Sequence, residues 1–170
     1  GGGVALTVGR GGSDGTAVQF RRGSGVVGTI SVTSSATAYN TSSDYRLKEN
    51  VETLSGAITR VKSLKPKRFS WIVDEEDSAN VDGFLAHEAA TVVPEAISGT
   101  YNEVEVWAEG EELPDGVSVG DNKLDDDGNT IPVMQGIDQS KLVPLLTAAL
   151  QEAIAKIETL ETKVAALEAG

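Results

Sequence analysis

The chain has 170 residues, 39% apolar and 5% aromatic, with 14 basic against 26 acidic side chains and a formal net charge of −12. That is room for about one ordinary domain, and its field repels nucleic acid and anionic membrane surfaces. With no cysteine and one histidine, disulfides, thiolate metal sites, a cysteine nucleophile and multi-histidine clusters are excluded, and no apolar run of about 18 residues or basic-then-apolar leader predicts a membrane segment.

Residues 1–42 hold 10 of the 19 glycines and are rich in Ser, Thr and Val. Alternation predicts short strands over Val4–Val8, Ala17–Arg21 and Gly28–Thr33. Gly11–Gly15 and Arg22–Gly25 carry turn chemistry between them. Strands this short and slight suit a β fibre in which several chains share one narrow core; a flexible Gly/Ser leader is the alternative.

Residues 43–73 are net basic and residues 74–129 strongly acidic, so internal charge pairing or contact between copies is expected rather than a basic docking surface. Leu54, Ile58, Val61 and Leu64 stand at helical spacing, predicting a helix that starts near Asn50 and stops at Lys65-Pro66. A strand follows over Lys67–Val73, Asp82-Gly83 turn the chain, and His87–Val93 form a short helix ended by Pro94. Over 101–133 hairpin-like strands are expected, with Glu103–Trp107 alternating cleanly and Asp127-Gly128-Asn129 as a turn.

The tail carries the clearest signal. Val143, Leu146, Leu150, Ala153, Ile157, Leu160, Val164 and Leu167 are spaced alternately 3 and 4 apart, the a and d positions of a heptad repeat. Position g then holds Lys156 and Lys163, and position e holds Glu161 and Glu168. In a parallel, in-register coil each g residue meets the e residue five positions on in its neighbour, which pairs opposite charges both times. A lone amphipathic helix gains nothing from that pattern, so self-association is the reading. Branched a residues with Leu at d lean towards two strands, whereas Ala153 at d and Ile154 at e widen the buried face; two against three stays open on the pattern alone.

Several candidate chemistries fail on spacing. His87-Glu88 begins like a zinc-protease helix, but Thr91 stands where the second histidine belongs. Lys123–Met134 brushes a calcium loop with non-ligands at its first and twelfth places, leaving an acidic turn. The Gly-rich leader lacks a Gly-Lys-Ser/Thr ending, so no phosphate loop is present. Metal and cofactor are both expected to be none. Ser43 and Lys48, five apart, can form a nucleophile–base pair without histidine. The lysine must then be neutral, which an ordinary value of about 10.4 forbids in water unless burial or Arg46 depresses it.

Three blocks in order, Ser43-Asp44-Tyr45-Arg46-Leu47-Lys48-Glu49-Asn50, Gly83-Phe84-Leu85-Ala86-His87-Glu88 and Gly136-Ile137-Asp138 leading to Leu146, resemble the self-cleaving C-terminal intramolecular chaperone domain of phage endosialidases, tailspikes and tail fibres. The resemblance covers 43–170. It implies an α+β chain: a β-fibre end over 1–42, then the chaperone domain. That domain comprises a mixed α/β globular part (43–135, with an acidic insertion at about 101–129) and a coiled-coil helix (136–170) forming a parallel trimer.

By the same resemblance the domain would trimerise a phage tail fibre or tailspike with two identical chains and then cut Ser42–Ser43 once. Ser43 would be the nucleophile and Lys48 the base of this serine endopeptidase, with Asp44, Arg46, Asn50, His87 and Glu88 in support. The upstream fibre segment is its only other expected partner. Assembly would occur in the host cytoplasm, with the fibre remaining in the virion and the chaperone released. The alternatives are a trimeric fibre tip that never cuts and a receptor-binding tip using the acidic loops.

Overall fold

A computed structural model describes residues 6–72 and 79–170. The chain contains both strands and helices and ends in a long helix. It divides into two compact units, Gly1–Glu52 and Thr53–Gly170.

The first unit is an antiparallel meander of β1 (Gly15–Arg22), β2 (Gly25–Val32) and β3 (Thr37–Thr41). Arg22 faces Gly25 across the tight turn, and Gly28–Val32 pair with Thr41–Thr37. The second predicted strand therefore forms with wider bounds, the third starts three residues earlier and ends at Val32, and β3 is an addition. Leu6–Val8 are not strand, and Val4 and Ala5 lie outside the described residues. The Arg10 guanidinium bonds the Ser13 and Thr16 carbonyls at the start of β1. None of the described residues of this unit is buried; Phe20 and Tyr39 are 53% and 80% exposed. A small sheet whose apolar residues are at most half-buried is marginal in water by itself.

The second unit is organised around a small core of Ala57, Val93, Ala96, Leu142, Leu145 and Ala149, flanked by Ile58, Val61, Leu64, Phe84 and Ile137. Helix α1 spans only Ala57–Ser63, later than the spacing predicts. Leu54 fits the helical period, but Gly56 sits in the left-handed region at φ 67° and breaks the run ahead of Ala57. Strand β4 is Lys67–Phe69 and pairs with β5, Val81–Gly83. Asp82 and Gly83 are thus strand rather than turn, because Arg68 faces Asp82 and bonds its carboxylate at 2.7 and 3.0 Å. Trp71 and Ile72 leave the strand, and Val73 lies outside the described residues. Helix α2 is Ala86–Ala90, shorter than expected, and β6 (Ile97-Ser98) pairs with β7 (Gly136-Ile137).

Between those two strands, 103–133 form a closed ring instead of simple hairpins. Bridges join Val104 to Pro132, Val106 to Asn122 and Leu124 to Thr130. Glu105 N donates to Ile131, Ile131 N to Lys123 and Lys123 N to Glu105, so each of the three short stretches bonds both others. Lys123 lies over the Trp107 ring, 4.9 Å from its centroid, and pairs with Glu111 at 2.7 Å. The Asp125 carboxylate accepts from Asp127 N and Asn129 N and closes the predicted acidic turn.

Helix α3 spans Leu142–Glu168, 27 residues or about 40 Å. It has two apolar stripes. Leu142, Leu145 and Ala149 are buried on the core, at heptad positions g and c. The a/d stripe points elsewhere: Leu150 is 62% exposed, Leu160 59% and Val164 52%. Beyond Glu152 only the second stripe continues.

Candidate functional site

Residues 43–48 close on themselves. Asp44, in extended conformation at φ −63° and ψ 134°, caps a single 3₁₀ turn, Tyr45–Leu47, by accepting from Arg46 N at 2.9 Å. The same carboxylate takes Arg46 Nε and Nη2 at 2.9 and 2.7 Å, and Lys48 N bonds the Tyr45 carbonyl. This turn carries Lys48 back over the start of the motif, where Nζ donates to Ser43 Oγ at 2.8 Å. The spacing of five thus brings amine and hydroxyl into direct contact, within reach for proton transfer. The Arg46 hydrogen bonds hold the Asp44 carboxyl below its usual range, so the clamp is ionised at neutral pH.

The remaining motif residues have contacts of their own. Asn50 turns the chain at φ 51°, a left-handed conformation Asn tolerates. His87 and Glu88 belong to the second unit. The His87 ring lies tilted on Tyr101 with centroids 4.4 Å apart. Glu88 joins α2 to the chain around β4 through Lys65 at 3.4 Å and Lys67 at 3.3 Å. The Lys67 contact is an ion pair without hydrogen-bond alignment, since Oε2 is otherwise buried and unbonded. Partial burial works to raise the Glu88 carboxyl, but the two lysines outweigh it and hold it low. These contacts give His87 and Glu88 packing and anchoring work inside their own unit.

Residues 43–98 match the family model Peptidase_S74, described as chaperone of endosialidase. The matched stretch is 56 of the 170 residues. The match begins at the nucleophile candidate and takes in the chaperone motifs at 43–50 and 83–88. No curated protein matches the chain.

Two structural features went unread in the sequence. Glu152 of α3 bonds Ala57 N at 2.8 Å and Ile58 N at 3.0 Å, so its carboxylate caps α1 from a distant segment. Those amide bonds lower its pKa. The signal was an acid continuing the g/c stripe after Leu142, Leu145 and Ala149. The other is Ser42, whose N–H and Oγ bond the Val27 and Val26 carbonyls of β2.

Proposed function

We propose that the chain is an intramolecular chaperone that trimerises a phage tail fibre or spike through α3 and then frees itself by one cut at Ser42–Ser43. Support for assembly comes from two features of one chain: the exposed a/d stripe of α3 and a first unit whose described residues are at most half-buried. A glycine-rich strand specifies its register weakly, and non-local pairing between separate chains is slow. A C-terminal coil that forms first raises the effective concentration of the upstream strands and aligns them.

The observation that carries the cut is the 2.8 Å approach of Lys48 Nζ to Ser43 Oγ inside the matched segment. In the proposed reaction neutral Lys48 takes the Oγ proton as Oγ bonds to the Ser42 carbonyl carbon. The bond from that carbon to Ser43 N breaks, and Lys48 returns the proton to the departing amine. An ester then joins the Ser42 acyl group to Ser43 Oγ. Water cleaves it, leaving a Ser42 carboxylate and a chaperone that begins at Ser43. Assembly removes Lys48 from water, which favours the neutral amine the first step needs. Once the chaperone leaves, an unfolded fibre has lost its means of alignment, so the cut makes the folded fibre kinetically persistent.

Denaturing mass analysis of purified protein tests this. Scaling 17.7 kDa over 170 residues, fragments of about 4 and 13 kDa are expected from the natural sequence and none from Ser43→Ala. One observation favours a trimeric tip that never cuts: Lys48 is exposed in the single chain and donates to Ser43. An intact band in the assembled natural protein would select that reading.

A further inference from the structure

The two sides of the Ser42–Ser43 bond belong to different hydrogen-bond systems. On the amino side the stem sheet runs to the Gly28–Thr41 rung. Ser42 continues it by one residue, with N–H on the Val27 carbonyl at 3.2 Å and Oγ on the Val26 carbonyl at 3.3 Å. On the carboxyl side every hydrogen bond found for residues 43–48 stays within that turn: Arg46 to Asp44, Leu47 to Asp44, Lys48 to Tyr45 and Lys48 to Ser43. Strand β2 fixes the acyl group, and the Asp44–Arg46 turn fixes the hydroxyl and the amine.

Attack by a serine on the carbonyl just before it closes a five-membered ring, which needs the acyl plane held at one rotation relative to the hydroxyl. Holding reacting groups in such a geometry is a large part of any intramolecular rate advantage. We infer that Ser42 is a positioning residue for the cut and that β2, through the Val26 and Val27 carbonyls, presents its carbonyl carbon to Ser43 Oγ. Resting on the self-cleavage reading, this adds a condition to it: the cut waits for the last rung of the stem sheet. A chain assembled at its coil but still open at that rung has its nucleophile ready and its target loose, so release follows completion of the stem rather than trimer formation alone.

Gly28 offers an independent handle on the rung. A Cβ there would stand 3.1 Å from the Asn40 carbonyl oxygen and 3.8 Å from the Phe20 ring. A larger side chain therefore wedges β2 from β3 just ahead of Ser42, leaving Ser43, Asp44, Arg46 and Lys48 untouched.

The test is the first-order rate of fragment appearance in the full chain after pulse-labelled synthesis, with trimer formation checked by sedimentation. Losing the hydroxyl in Ser42→Ala slows the cut about 3- to 10-fold, the worth of one hydrogen bond. Ser42→Thr, which keeps the hydroxyl, returns the rate to within about threefold of the natural chain by the same bond. Gly28→Val slows it more than about tenfold, as a displaced acyl group should, while the trimer still forms. Natural rates in both Ser42→Ala and Gly28→Val overturn the inference, as does a Ser42→Thr chain as slow as Ser42→Ala. If Gly28→Val fails to assemble, the two exposed Ser42 variants decide alone. A natural chain that stays as intact as Ser43→Ala removes the self-cleavage reading itself, and this inference with it.

Discussion

Truncating Leu160 to alanine isolates the a/d stripe of α3, because the helix has by then passed its own core. Leu160 is 59% exposed in one chain. Full burial of a leucine is worth about 1.5–3 kcal/mol, so covering that remainder supplies about 1–2 kcal/mol per chain. A trimer changes three copies at once. Its loss is roughly 4 kcal/mol, close to a thousandfold in the association constant. Sedimentation equilibrium over a dilution series reads this directly, with Ser43→Ala as background so that the chain stays whole. Leu145→Ala on the other stripe is the contrast. That residue is 2% exposed, and its loss costs the second unit about 2–4 kcal/mol of folding stability through the cavity left behind. The association midpoint should hardly move. A monomeric natural chain at every concentration, or a Leu160→Ala midpoint equal to the natural one, would refute the reasoning.

Lys48→Ala should abolish the two fragments as completely as Ser43→Ala, while the sedimentation pattern of each stays trimeric. Asp44→Asn weakens the clamp that shapes the turn, and the fragment rate should fall about tenfold, the scale of one charged hydrogen bond. Glu152 predicts a pH effect of definite sign. Its folded carboxyl lies below the usual 4.5, so its contribution is complete above that value and disappears as pH falls through the depressed one. Thermal melts should place natural protein several degrees above Glu152→Gln at about pH 7, with the gap closing as pH falls well below the ordinary carboxylate range. A gap that persists in acid would show that the charge on the cap is irrelevant.

Local relations were legible in the sequence. The turn of 43–48 needs only contacts up to five residues apart, and its side chains meet as their spacing suggests. The long helix was equally plain, since apolar residues alternating three and four apart over eight positions fall on one stripe only when the backbone is helical. What escaped depends on chain segments far apart. Leu54 looked helical because period alone cannot see that Gly56 turns left-handed and that the cap arrives from Glu152. Asp82-Gly83 has turn chemistry, yet Arg68 opposite converts it to strand. The ring of 103–133 rests on pairings between stretches whose alternation is identical in an ordinary hairpin. Ser42 was legible as one side of the expected cut, but its bond to Val26, 16 residues earlier, was not.

The cap on α1 has a temporal consequence. Glu152 is made 95 residues after Ala57, and polypeptides grow from amino to carboxyl end. While the ribosome is still working, the first helix of the second unit has bare amide ends and the buried stripe of α3 does not yet exist. Translation thereby imposes an order of events: the second unit becomes complete only once Glu152 and the buried stripe of α3 have been made.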